Sequence, residues 1–101
     1  MTNPNKPYFF GRFHFEDQYR AAIIKQGTKL LTIVFMDDTR LRTIIAPLSD
    51  IRYLAEMANT DDNLPKVKAA CRQLLKKSPL TGLKREMTKK ARGVLKEILD
   101  L

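Results

Sequence analysis

The stretch Ser49-Asp50-Ile51-Arg52-Tyr53-Leu54-Ala55-Glu56-Met57-Ala58-Asn59 decides how this chain is divided. At Ser49 the hydrophobic period changes from two to about 3.6. Ser49 suits an N-cap, and Ile51, Leu54, Ala55 and Ala58 fall on one helical face, so the spacing predicts a helix ending near Asn59. Everything before this stretch then reads as sheet and everything after it as helix.

Upstream, β-branched and aromatic residues alternate between turn signals from Tyr8 to Ala46. Tyr8 to Glu16 predicts a first strand with Phe9, Gly11, Phe13 and Phe15 on one face and Tyr8, Phe10, Arg12, His14 and Glu16 on the other. Tyr19 to Lys25 follows, and Gln26-Gly27 predicts a hairpin turn because glycine adopts positive φ without steric cost. Lys29 to Met36 is apolar on both sides, which suits a central strand. Asp37-Asp38-Thr39 predicts another turn, and Arg40 to Ala46 is a fourth strand ended by Pro47.

Downstream, Thr60-Asp61-Asp62-Asn63 supplies a cap cluster, and Pro65 fits the first turn of a helix that turns Leu64, Val67, Cys71, Leu74 and Leu75 inward as far as Lys77. Ser78-Pro79 breaks it. A last helix from about Thr81 to the C-terminus aligns Leu83, Met87, Ala91, Val94, Ile98 and Leu101. The expected fold is α+β: a four-stranded antiparallel β-meander followed by three helices packed on one face. The 101 residues form one domain, with residues 1–7 as a flexible arm, 8–46 as sheet and 49–101 as a helical part with a basic face.

The net charge of +8 is unevenly placed. Between Asn63 and Lys96 eleven Lys and Arg face the single acid Glu86, so that segment carries +10 and the rest −2. Lys68, Arg72 and Lys76 repeat every four residues, and Arg85, Lys89, Arg92 and Lys96 repeat at four, three and four, so each set forms a stripe. Like charges at these spacings repel by a few tenths of a kcal/mol per pair, roughly, and phosphates relieve that repulsion. A lysine-rich face serving only solubility would normally intersperse acids. The expected partner is therefore nucleic acid, DNA or RNA, held by its backbone. The alternative is a protein-interaction module, an inhibitor or adaptor of a nucleic-acid enzyme, whose basic surface docks on an acidic protein patch.

A second candidate surface is the first strand, where Tyr8, Phe10, Arg12 and His14 share a face that would suit base stacking, with Arg20, Arg40 and Arg42 as neighbours across the sheet. The competing reading makes that aromatic stripe core. The run Phe9-Phe10-Gly11-Arg12-Phe13-His14-Phe15 resembles the aromatic strand motif of RRM domains, but strands first and helices last is not the β-α-β-β-α-β order of that fold. In outline, a curved meander followed by a helix is similar to single-strand-binding transcription cofactors, at the level of fold alone. The segment Ala69 to Arg92 could also be a helix-turn-helix supported by the helix predicted over Asp50 to Asn59.

Catalytic chemistry finds little to work with. His14 is flanked by phenylalanines, Cys71 falls in the inward stripe of its helix, and the four glycines are scattered, so no enzyme activity and no cofactor are expected. One Cys and one distant His assemble neither a disulfide nor a zinc site, and Asp37-Asp38 and Asp61-Asp62 lack the glycine and glutamate of a calcium loop, so no metal is expected. No apolar run reaches the roughly 20 residues of a membrane span and no signal peptide precedes Tyr8, which makes a cytoplasmic location the expectation. Two sheet edges and a third strand apolar on both faces lead to the expectation of a homodimer.

Overall fold

A computed structural model describes residues 8–37, 40–77 and 85–101, with side chains omitted at 85–88. Among the described residues five strands precede two helices: β1 (Tyr8–Phe15), β2 (Gln18–Gln26), β3 (Leu30–Asp37), β4 (Arg40–Pro47), β5 (Tyr53–Ala58), α1 (Leu64–Lys77) and α2 (Arg85–Leu99). The fold is α+β, but the four-stranded meander with three helices is corrected to a five-stranded antiparallel sheet with two, in the order β4-β3-β2-β1-β5. The arm 1–7, the turn residues Asp38 and Thr39, and the break at Ser78-Pro79 lie outside the described residues.

The correction falls on the stretch that opened the sequence reading. Residues 53–58 form a strand because β1, at the edge of a meander, would leave half its N–H and C=O groups unpaired, and β5 satisfies them. The apparent helical face is not a buried face: Ile51 is 91% and Leu54 54% exposed. With no helix to begin there, the N-cap expected at Ser49 is not formed, and its neighbour Asp50 holds a turn instead. The Oδ1 of Asp50 accepts the N–H of Arg52 at 2.8 Å, and the N–H of Asp50 donates to the carbonyl of Pro47 at 3.0 Å. With no helix at 50–59, the support that a helix-turn-helix would need is absent too.

Pairing of β5 with β1 depends on Gly11. The register shifts between Phe10, opposite Met57, and Gly11, opposite Ala55, so Glu56 is the extra residue of a bulge. A Cβ at Gly11 would stand 1.9 Å from the carbonyl oxygen of Leu54.

Residues 48–52 must carry the chain from the end of β4 to the opposite end of β5 on the far edge. In a flat sheet that diagonal exceeds about 25 Å, from strand spacings near 4.8 Å and a rise near 3.4 Å per residue. A five-residue link that includes a turn spans at most about 17 Å. The sheet therefore curls into an open barrel. Its inner face holds Phe13, Ala22, Ile24, Leu31, Ile33, Phe35 and Ala46, all buried. Phe13 and Phe35 lean toward each other across the small Ala22, with ring centroids 5.3 Å apart.

The outer face carries the second core. Tyr8, Ile23, Val34 and Leu41, one from each of β1 to β4, pack against Val67, Cys71 and Leu74 of α1 and Ala91, Val94, Leu95 and Ile98 of α2. Of the helical stripes expected from sequence, Val67, Cys71, Leu74, Ala91, Val94 and Ile98 are buried, Leu64 and Leu75 are half-buried and Leu101 is exposed, while Leu83 and the side chain of Met87 lie outside the described ones. The double-sided apolarity of β3 is consumed within one chain, with Leu31, Ile33 and Phe35 inside the barrel and Val34 and Met36 under the helices. No helix among the described residues is long and apolar enough to cross a membrane.

Candidate nucleic-acid interface

The helical pair displays the basic stripes because its apolar stripes are spent on the barrel. On α1, Val67, Cys71 and Leu74 face inward, which at 100° per residue turns Lys68 and Arg72 to one flank, Lys76 away from the barrel, and Lys66 and Lys77 to the other flank. Lys66, Arg72, Lys76 and Lys77 are exposed, and Lys68 is half-buried. Lys76 and Lys77 close the last turn, where the helix dipole favours cations. On α2, Ala91, Val94, Leu95 and Ile98 face inward. The half-buried Arg92 lies on one flank, the exposed Lys96 and Lys89 continue from it to the side away from the barrel, and Lys90 is exposed on the opposite flank. The side chain of Arg85 lies outside the described ones.

A long contact joins the two stripes. Nη1 of Arg92 donates to the carbonyl of Leu75 on α1 at 3.4 Å. Leu75 lies on the same flank of α1 as Lys68 and Arg72, so the inner ends of the two rows, Lys68 and Arg72 on α1 and Arg92 on α2, border one seam. Their half-buried members, Lys68 and Arg92, have the burial expected beside it.

Most cations of the barrel are already committed to carboxylates; the exposed Lys29 and Arg40 form no ion pair among the described residues. Arg12 pairs with Glu56 at 3.0 Å, and Lys25 with Glu97 at 3.3 Å. Asp37 holds two arginines, Arg20 at 3.4 Å and Arg42 at 3.0 Å, with both guanidinium groups over the ring of Phe15. Arg52 grips both oxygens of Asp50, at 3.1 and 2.7 Å, and its guanidinium sits 5.0 Å from the ring centroid of Phe13. Those hydrogen bonds hold the Asp50 carboxyl below its usual range. By contrast, Lys66, Lys68, Arg72, Lys76 and Lys77 of α1 and Lys89, Lys90 and Lys96 of α2 form no ion pair among the described residues.

The aromatic face proposed from β1 is placed differently. Tyr8 is only 8% exposed and Phe10 is half-buried, both packed under the helices. The Tyr8 hydroxyl donates to the Glu97 carboxylate, which also receives Lys25. Burial, and then the bond and charge of Glu97, push the Tyr8 hydroxyl up to about 12. The same bond, aided by Lys25, draws the Glu97 carboxyl down. Arg12 is exposed but paired, and the half-buried His14 lies against Tyr19 with ring centroids 4.9 Å apart. Arg20 and Arg42, expected as neighbours of this face, sit on the other side of the sheet because their strand parity matches Phe13 and Phe15.

Sequence reasoning missed the Asp37 cluster and the Tyr8–Glu97–Lys25 contact. Strand alternation put Arg20, Arg42 and Asp37 on one face, a usable signal, whereas nothing local links Tyr8 to a residue 89 positions away. Cys71 is buried and its thiol is pushed up to about 11 by that burial. Among the described residues no three His, Cys, Asp or Glu side chains gather as a metal set.

Fold and surface together define a small α+β protein in which an open five-stranded barrel carries a basic helical pair. No family model, curated protein or solved structure matches the chain.

Proposed function

We propose that the protein binds nucleic acid through the backbone phosphates, using the basic rows of α1 and α2 along their seam. The observation that carries this reading is a contrast between two sets of cations: most of those of the barrel meet carboxylates within the fold, whereas Arg72 and the lysines of α1 and α2 form no ion pair among the described residues. Fixing a row of like charges on a rigid helix stores repulsion that a phosphate backbone removes, with release of its counterions. Lys68, Arg72, Lys76, Lys89, Arg92 and Lys96 are the contact residues in this reading. The role is an accessory or regulatory one, since the site offers charge and no reactive group.

Fluorescence anisotropy with a short duplex over a range of salt tests this. Six neutralised phosphates give a log-log slope of about −5, so affinity falls steeply as salt rises. Arg72→Glu with Lys89→Glu should abolish binding while the fold persists. A flat salt dependence, or undiminished binding by the double variant, overturns the reading and leaves docking on an acidic protein as the use of this surface.

A further inference from the structure

We infer that the α1–α2 seam takes a double-helical phosphodiester in preference to a single strand, and without regard to base sequence. This rests on the helical pair being the nucleic-acid interface and narrows what that interface accepts.

Single strands are held where cations alternate with aromatic rings on which unpaired bases stack. The helical pair has no such ring, since no aromatic residue occurs after Tyr53. The rings of the barrel are buried or half-buried, except Tyr19 at 55% exposure, which already leans on His14.

The cations also come as two rows on a rigid scaffold. From Lys68 to Lys76 the α1 row runs for about 12 Å, at 1.5 Å per residue, and the inner end of the α2 row borders the same seam. Over that length a duplex offers about seven phosphates in two lines, and a single strand about half as many in one. Packed helices stand roughly 8–10 Å apart, within the range of duplex groove widths, about 6–12 Å, so two lines of phosphate can meet two rows of cations. A single strand satisfies one row and leaves the other repelling.

Base reading needs planar forks or amides directed into a groove. Four of the seven row cations are lysines, a compact charge without a fork, the half-buried Arg92 turns its fork to the Leu75 carbonyl, and each helix lies with one face on the barrel rather than projecting from it. Gln73, the one amide within α1, is on the flank away from the seam.

The test compares, at one ionic strength, a labelled 20-base-pair duplex, its two separated strands and a duplex of scrambled sequence and equal composition. The duplex should bind about tenfold more tightly than either strand, and scrambling should change affinity by less than about twofold. Arg72→Glu should weaken every ligand, and Tyr19→Ala should weaken none. Strands that bind as tightly as the duplex, a scrambled duplex about tenfold weaker, or loss of strand binding in Tyr19→Ala overturns this inference. If Arg72→Glu still weakens binding, the helical interface survives that result. Absence of binding to all four ligands removes the interface reading and this inference together.

Discussion

The barrel and the helical pair use positive charge in opposite ways. In the barrel, Arg20 and Arg42 share Asp37 above Phe15, Arg52 grips Asp50 above Phe13, and Arg12 meets Glu56, so each of these arginines is bound by a carboxylate and most also cover an aromatic ring. Along α1 every ionisable side chain but Cys71 is a Lys or Arg, with no acid in its first turn to answer them. Charge in the first region closes the fold, and charge in the second works against its own neighbours. A row of cations that gives up a little stability and meets no carboxylate among the described residues supports the proposed use of that surface outside the molecule. Substitutions should therefore separate stability from binding according to region.

The largest effect is expected at Gly11. Gly11→Ala drives a Cβ against the backbone oxygen of Leu54, which cannot rotate away, so β5 must part from β1 and the barrel should lose about 3 kcal/mol or more in urea unfolding. A variant as stable as wild type would show that β5 is not held by this close approach.

Next comes Asp37→Ala, which leaves Arg20 and Arg42 facing each other in a partly buried site. Solvent reaches Arg42, so the loss should be about 1 to 2 kcal/mol rather than the 3 to 5 of a fully buried pair. Arg12→Ala, at the exposed pair with Glu56, should cost under about 0.5 kcal/mol. Equal costs at the two sites would break the distinction between arginines that close the barrel and arginines that merely decorate it.

A pH experiment probes the junction of the two regions. The Tyr8 hydroxyl titrates near 12 in the fold against 10 when unfolded, so the native state keeps a proton that the unfolded chain releases. Its contribution is complete below pH 10 and disappears as pH climbs toward 12. Tyr8→Phe should be about 1 kcal/mol less stable than wild type near pH 8, from the lost bond to Glu97. That gap should narrow above pH 10, and a constant gap would show that the hydroxyl does not hold its proton in the fold.

The smallest effect on stability belongs to the helices. Arg72→Glu places an acid between Lys68 and Lys76 at spacings of four, converting two repulsions into attractions, so the melting midpoint should hold or rise slightly, by the equivalent of about 0.5 kcal/mol. Binding should be weakened in the same variant. A marked loss of stability would place Arg72 with the barrel arginines and dissolve the contrast.

Much of this was legible in the residues. Alternation in Tyr8–Phe15 gave both faces of β1 correctly, and the stripe Val67, Cys71, Leu74 gave the buried side of α1, because each pattern spans enough turns or pleats to have one periodicity. The basic rows could be read because exposed residues on a regular helix follow from its buried ones. Residues 49–59 were misread because Ile51, Leu54, Ala55 and Ala58 fit a helical face equally well when nothing tells whether that face is covered. Whether Tyr8 and Phe10 were open rings or core depended on the same missing knowledge.

What the sequence by itself determined was local: three hairpin-linked strand pairs, two amphipathic helices, and the concentration of charge after Asn63, all set by neighbours within a few positions. The tertiary structure alone decided that 53–58 is a strand, since its hydrogen-bond partners lie some 45 residues away on β1 and its approach needs the missing side chain of Gly11. It also decided which cations are spent and which remain, because an ion pair such as Arg20 with Asp37 forms only once strands remote in sequence lie side by side.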